Sequence, residues 1–323
     1  MAAPGGYVME RPVSVGRLGT VLGLTVALAA CGQIQVLKAK KHFKDANAFY
    51  QQQDYRRAAA AYEEAIKADP NLTVAYFYLG NSYDNLYKPA RAGEPENDAY
   101  LQKAIENYKI AAERETDPKM KKLALEYLVA AYGPEKLDRP EEAEPLIQRM
   151  VEIDPSDPTN YFALAKLYED SGRYDDAEAI LLKARDAKPN DPQVYMQLAG
   201  FYNRQGEFDK TIEALRARAE REPNNPEAFY TIATFYWDKA FRDVRLKDEE
   251  KAKFAEAGLQ AVDKAIELNP NYMEAITYRG LLLRVQAGIE KNAARQQALL
   301  KEAEAMQAKA IELRKQKAAG VSE

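Results

Sequence analysis

The chain has 323 residues, 30% of them charged and 46% hydrophobic, with a formal net charge of −4 and a single cysteine. This composition excludes general disorder, and one cysteine excludes an internal disulfide. No long basic run follows the N-terminal region, which argues against nucleic acid as a partner.

Leu18 to Ala30 is a run without a charge, preceded by Arg11 and Arg17. A bilayer-spanning helix needs about 20 apolar residues, so the run is too short. A basic flank, a short apolar core and small residues before a cleavage point describe a secretory signal peptide over residues 1–30. Leu28-Ala29-Ala30-Cys31 resembles the bacterial lipobox. The resemblance implies acylation of the Cys31 sulfur, residues 31–38 as a tether, and a chain anchored by lipid in the cell envelope. Gly32 stands where an aspartate would favour the inner membrane, which by the same resemblance implies the outer membrane, facing the periplasm. Met1 and Met9 both stand as starts, and Met9 would open a signal of ordinary size. Lys38, Lys40, Lys41 and Lys44 form either a solvated helix face or a contact for anionic lipid. His42, the one histidine, lies among them; with no Cys/His cluster, neither a metal nor a cofactor is expected.

Paired helices follow. The first pair contains Ala46, Phe49, Tyr55, Ala58, Tyr62 and Ala65, and Pro70 closes it. The second opens with Tyr76, Leu79, Gly80 and Tyr83; after a Pro/Gly-rich loop from Lys88 to Pro95, its partner helix is expected to resume at Tyr100. The third is degenerate: Leu125, Leu128 and Tyr132, then Ala143 and Ile147, with Pro134, Pro140 and Pro145 crowding the turn.

The fourth and fifth pairs are regular. Tyr161 to Asn190 lies over Tyr195 to Asn224 at an offset of 34 residues without a gap. Asp157-Pro158, Asp191-Pro192 and Asn225-Pro226 each place a capping side chain before a proline, whose missing amide costs nothing at the first helical position. Gly172 and Gly206 can end the first helix of each pair, because glycine adopts the left-handed conformation freely. Ala165 and Ala177 let two helix backbones approach closely. The sixth pair runs from Phe229, Ile232 and Tyr236 to Val262 and Pro270; its extra charged sequence predicts a protruding hairpin. The seventh starts with Ile276, Gly280 and Leu283 and ends in a polar helix from Ala293 to about Lys317, as the uncovered end of a stack requires.

These residues resemble the tetratricopeptide repeat, with its large–Leu–small–Tyr first helix, its Ala–large–Ala second helix and its closing proline. The resemblance implies an all-α, right-handed superhelical solenoid of about seven helix–turn–helix units over residues 39–323, some with long insertions. It also implies that the first helices line the inner curve, where an extended peptide or partner protein would lie. Three places before each small packing position stand Phe43, Phe77, Phe162, Met196 and Tyr230. Just after it stand Asn47, Asn81, Lys166 and Thr234, and one turn further Tyr50, Asp84, Asn203 and Trp237. Rings flanked by amides suit an extended peptide, or the same rings can pack against the neighbouring unit.

No Gly-rich phosphate loop occurs, and acidic pairs such as Asp175-Asp176 fall on exposed helix faces, so an enzyme is not expected. The reading is a membrane-anchored adaptor for a partner protein, as in envelope assembly, pilus biogenesis or export. The alternative is a binding module for a glycan or another cell-wall polymer. The sequence leaves oligomeric state open.

Overall fold

Polar, capped and proline-started segments repeat along the chain, and each becomes a helix. The computed structural model describes the backbone of residues 16–320 and the side chains of residues 33–320. Every regular element among the described residues is helical. The signal peptide and Cys31 lie outside the residues whose side chains are described. Two compact units divide the chain, Met1–Ile153 and Asp154–Glu323.

The first unit holds three helical hairpins. They are α1 (Gly16–Gln51) with α2 (Tyr55–Ala68), α3 (Thr73–Leu86) with α4 (Pro95–Arg114), and α5 (Pro118–Tyr132) with α6 (Pro140–Ile153). Each helix packs on the next. Residues 31–38, the expected tether, lie within α1. Among the described residues no helix is long and apolar enough to cross a membrane.

The helix expected to resume at Tyr100 begins earlier, at Pro95, where proline suits the first helical turn. The Pro/Gly-rich segment before it is ordered by Asn97, only 3% exposed. Its amide oxygen accepts from the Lys88 N–H at 2.8 Å, and its NH2 donates to the carbonyls of Lys88 and Arg91 at 3.1 and 3.0 Å. Pro145 sits inside α6 without ending it. Its missing amide would have met the carbonyl of Glu141, an exposed residue, so water can satisfy the oxygen.

Glu115 joins three helices of this unit. Its carboxylate accepts from the Thr73 hydroxyl at 2.8 Å and from the backbone N–H groups of Thr116 and Asp117 at 2.8 and 3.1 Å. Burial by itself raises its pKa, but these hydrogen bonds outweigh it and hold the group below its ordinary value. The folded value is depressed, so this stabilisation is full above the unfolded pKa of about 4.3 and is lost as pH falls through the folded one. In Glu115→Gln the urea midpoint is therefore expected to fall less between neutral pH and pH of about 3 than in the wild type, at a cost near neutrality of about 1–3 kcal/mol. Equal slopes would remove Glu115 from the acid response.

The second unit holds four hairpins: α7 (Pro158–Asp170) with α8 (Tyr174–Ala187), α9 (Pro192–Arg204) with α10 (Phe208–Arg221), α11 (Pro226–Arg242) with α12 (Asp248–Leu268), and α13 (Met273–Ile289) with α14 (Ala293–Ala318). The proposed caps form: Asp157, Asp191 and Asn225 accept from the N–H groups of Thr159, Gln193 and Glu227 at 2.9, 2.9 and 3.0 Å. Gly172 and Gly206 have φ of +73° and +76°, the left-handed turn that a side chain would strain. A tyrosine in the first turn of α7 and of α9 reaches back to close the preceding turn. Tyr161 donates to the Pro155 carbonyl at 2.9 Å and Tyr195 to the Pro189 carbonyl at 2.8 Å. The inserted sequence lengthens both partners, α11 to 17 residues and α12 to 21, against 13 and 14 in α9 and α10.

Candidate functional site

In the first unit, the first helices α1 and α3 bring the expected binding residues together, but most of their polar groups are engaged within the unit. Phe43 packs on Tyr62 and Tyr78, with ring centroids 5.6 and 6.0 Å apart. Asn47 accepts from the Tyr62 hydroxyl at 2.6 Å, and the Tyr50 hydroxyl donates to the Asn81 side-chain oxygen. Asp84 takes Lys136 at 2.5 Å and the Tyr108 hydroxyl at 3.4 Å. Phe77 and Asn81 are 5% and 4% exposed, so at these two positions the packed reading holds and the open groove does not. The reason is packing: Tyr78, Tyr108 and Tyr127 surround the Phe77 ring at 5.3 to 5.8 Å. Burial, and then the neighbouring tyrosines and Asp84, push the Tyr50 phenol above its ordinary pKa, so it stays a donor.

The second unit differs. Phe162 on α7 is half-buried, while Lys166 is exposed and paired with Asp170 one turn on. On α9, Met196 is 37% exposed with its sulfur held by Arg218 at 3.0 Å, and Asn203 is exposed. On α11, the Thr234 hydroxyl donates to the Thr231 carbonyl at 2.7 Å, an internal bond that leaves the face to the rings.

Those rings form a continuous ladder over α11 and α13. Tyr230 lies 5.2 Å from Tyr272 and 5.4 Å from Tyr278, and Tyr278 meets Trp237 edge-on at 5.4 Å. Burial, with Tyr230 alongside, pushes the Tyr272 phenol up to about 12. Trp237 in turn stacks on Phe241 at 5.1 Å and an 11° interplanar angle. Phe241 is 61% exposed and Val244 86%. The ladder runs from the core to an apolar end in water. Among the described residues no group of three His, Cys, Asp or Glu is placed to hold a metal ion.

Family models for the tetratricopeptide repeat match residues 43–107, 136–200 and 192–235. The chain is a tetratricopeptide-repeat protein. Comparison with curated protein sequences gives no match. Among solved structures, the C-terminal part of a TPR repeat-containing protein from Cytophaga hutchinsonii is 16% identical, covers 84% of this chain and 98% of its own, and superposes with a TM-score of 0.54. A MamA structure from Desulfovibrio magneticus RS-1, from residue 41 to its end, is 16% identical over 62% of this chain and 96% of its own, at a TM-score of 0.40. YrrB, described as a TPR protein with an unusual peptide-binding site, is 19% identical over 59% of this chain and 89% of its own, at 0.37.

Two features of this TPR face escaped sequence reasoning. Phe241 falls in the inserted sequence, where charge dominates; its spacing of four from Trp237 was the available signal, since residues four apart share a helix face. The other is a link between adjacent repeats: Arg204 grips the Glu169 carboxylate from two nitrogens, at 2.6 and 2.9 Å. That hydrogen-bonded carboxylate raises the arginine pKa further.

Proposed function

We propose that this TPR protein is a lipid-anchored adaptor, held by an acylated Cys31 on the periplasmic side of a bacterial outer membrane, that binds an extended segment of a partner protein along the first helices of its second unit. Support for the anchor comes from the sequence: a basic flank, a short apolar run and Leu28-Ala29-Ala30-Cys31. Envelope assembly, pilus biogenesis and export are the settings in which such an adaptor would serve.

The observation that carries the binding reading is the exposed aromatic end of the α11 ladder. A ring 61% exposed and stacked on an indole is large, rigid and already ordered, so a partner side chain that covers it loses little entropy in the protein. Exposed Asn203 flanks the path with an amide that can pair with a peptide backbone. First-unit residues are a poorer platform, because Asn47, Asn81 and Asp84 are engaged internally.

Photo-crosslinkers placed in living cells at Phe162, Asn203 and Phe241 test this. All three are expected to capture neighbouring segments of one partner chain, while a crosslinker at the exposed Glu213 of α10 captures none of it. Phe241→Ala is expected to weaken that partner's binding by about 1–2 kcal/mol, read as a five- to thirtyfold rise in Kd. No common partner at the three positions, together with retention of the chain on purified cell-wall polymer, would favour a glycan module instead.

A further inference from the structure

We infer that residues 33–44 of α1 form a docking surface for an anionic lipid bilayer. The inference needs no acyl chain, and therefore goes beyond anchoring at Cys31. Ile34, Val36 and Leu37 are 51%, 39% and 67% exposed, and together they are three of the nine large apolar side chains exposed among the described residues. Elsewhere such residues occur singly or in pairs; here three fall within four positions, at the edge of the apolar run Leu18 to Ala30.

Helical geometry sorts this segment into two faces. Ala39, 1% exposed, and Ala46, fully buried, face the unit's core. At 100° per residue, Ile34, Leu37, Lys41 and Lys44 fall on the opposite stripe. Lys38 and Lys40 are exposed beside it, and residues 33–44 contain four lysines and no acid, in a chain whose net charge is −4.

Apolar side chains at Ile34 and Leu37 and lysines over the two turns that follow match the depth profile of a bilayer edge, with carbon toward the acyl region and ammonium groups at the phosphates. Charge complementarity selects an anionic surface over a neutral one. A lysine near such a surface improves partitioning roughly fivefold. An apolar contact with a second copy of the chain would gain nothing from the lysines, which would repel across a two-fold axis.

The test uses the full chain with Leu37→Trp as a reporter in a Trp237→Phe background, and Cys31→Ser to remove acylation. Leu37 is 67% exposed, so the indole displaces no core contact. With vesicles of phosphatidylcholine carrying about one-third phosphatidylglycerol, emission is expected to shift to the blue, with a much smaller shift on phosphatidylcholine alone. High salt, or glutamine at the four lysine positions, is expected to remove the difference between the two vesicles. Equal emission with both vesicles, a salt-independent shift, or a shift that appears with protein concentration in the absence of vesicles would each overturn the docking surface. Loss of palmitate labelling is a separate readout: if the wild type takes no palmitate while the anionic shift persists, the anchor fails and the docking surface stands.

Discussion

Tyr108→Ala is expected to destabilise the first unit by about 3–5 kcal/mol, the cost of deleting a fully enclosed aromatic ring. Tyr108 is completely buried on α4 and packs against Phe77 and Tyr127 at 5.8 and 5.3 Å. Its hydroxyl lies 3.4 Å from the Asp84 carboxylate, a long contact, so Tyr108→Phe is expected to cost only about 1 kcal/mol. Gly80 supplies an internal check. A Cβ on Gly80 would come within 2.8 Å of the Tyr108 ring and 3.1 Å of the Ala104 carbonyl, so Gly80→Ala alone overpacks the site by about 1–3 kcal/mol. In the double variant the added methyl enters the space the ring vacated. The two losses should therefore sum to less than their separate values, a coupling expected only for residues in direct contact. Urea denaturation, with hydrogen exchange over α3 to α5, reads the outcome; strict additivity would mean that the α3–α4 contact is not the one described.

Cys31→Ser has the largest expected effect on location. If Cys31 carries the lipid, the variant takes up no labelled palmitate and leaves the membrane fraction at high salt, while the wild type stays. Labelling that survives the substitution would refute acylation at Cys31. Salt matters to the design, since the lysines of α1 give the variant a second, screenable attraction to anionic lipid.

The regular repeats were legible because each local choice agrees with the fold. Asp157, Asp191 and Asn225 cap helices whose prolines come next, and Tyr161 and Tyr195 bond the carbonyls of Pro155 and Pro189 from the same register. The insertion in the sixth pair, expected as a hairpin, lengthens both of its helices, since most of its residues are helix formers. The start of α4 was not legible: Pro95 opens it, and the clamp by Asn97 on Lys88 and Arg91 depends on hydrogen bonds that have no sequence pattern.

The candidate face was half legible. Phe43, Asn47 and Asn81 sit at the positions expected, yet what decides their availability is a partner far along the chain. Lys136, in the turn of the degenerate third repeat, reaches Asp84 52 residues earlier, and Tyr50 and Asn81 are 31 apart. Spacing reports which residues share a face and says nothing about which of them have found one another. Trp237 and Tyr230 were placed on the right element, but their order as a ladder depends on Tyr272 and Tyr278 of the next hairpin.

The chain has a single tryptophan, and it is the one against Phe241. Indole emission, excited at the red edge where the 21 tyrosines do not absorb, is thus a report on a few ångströms of α11 and α13, with no second indole to dilute it. A guest that covers Phe241 changes the polarity around that one chromophore, so occupancy can be followed in unlabelled protein. A ligand seated elsewhere leaves the signal dark to its arrival, and the optical silence itself locates it.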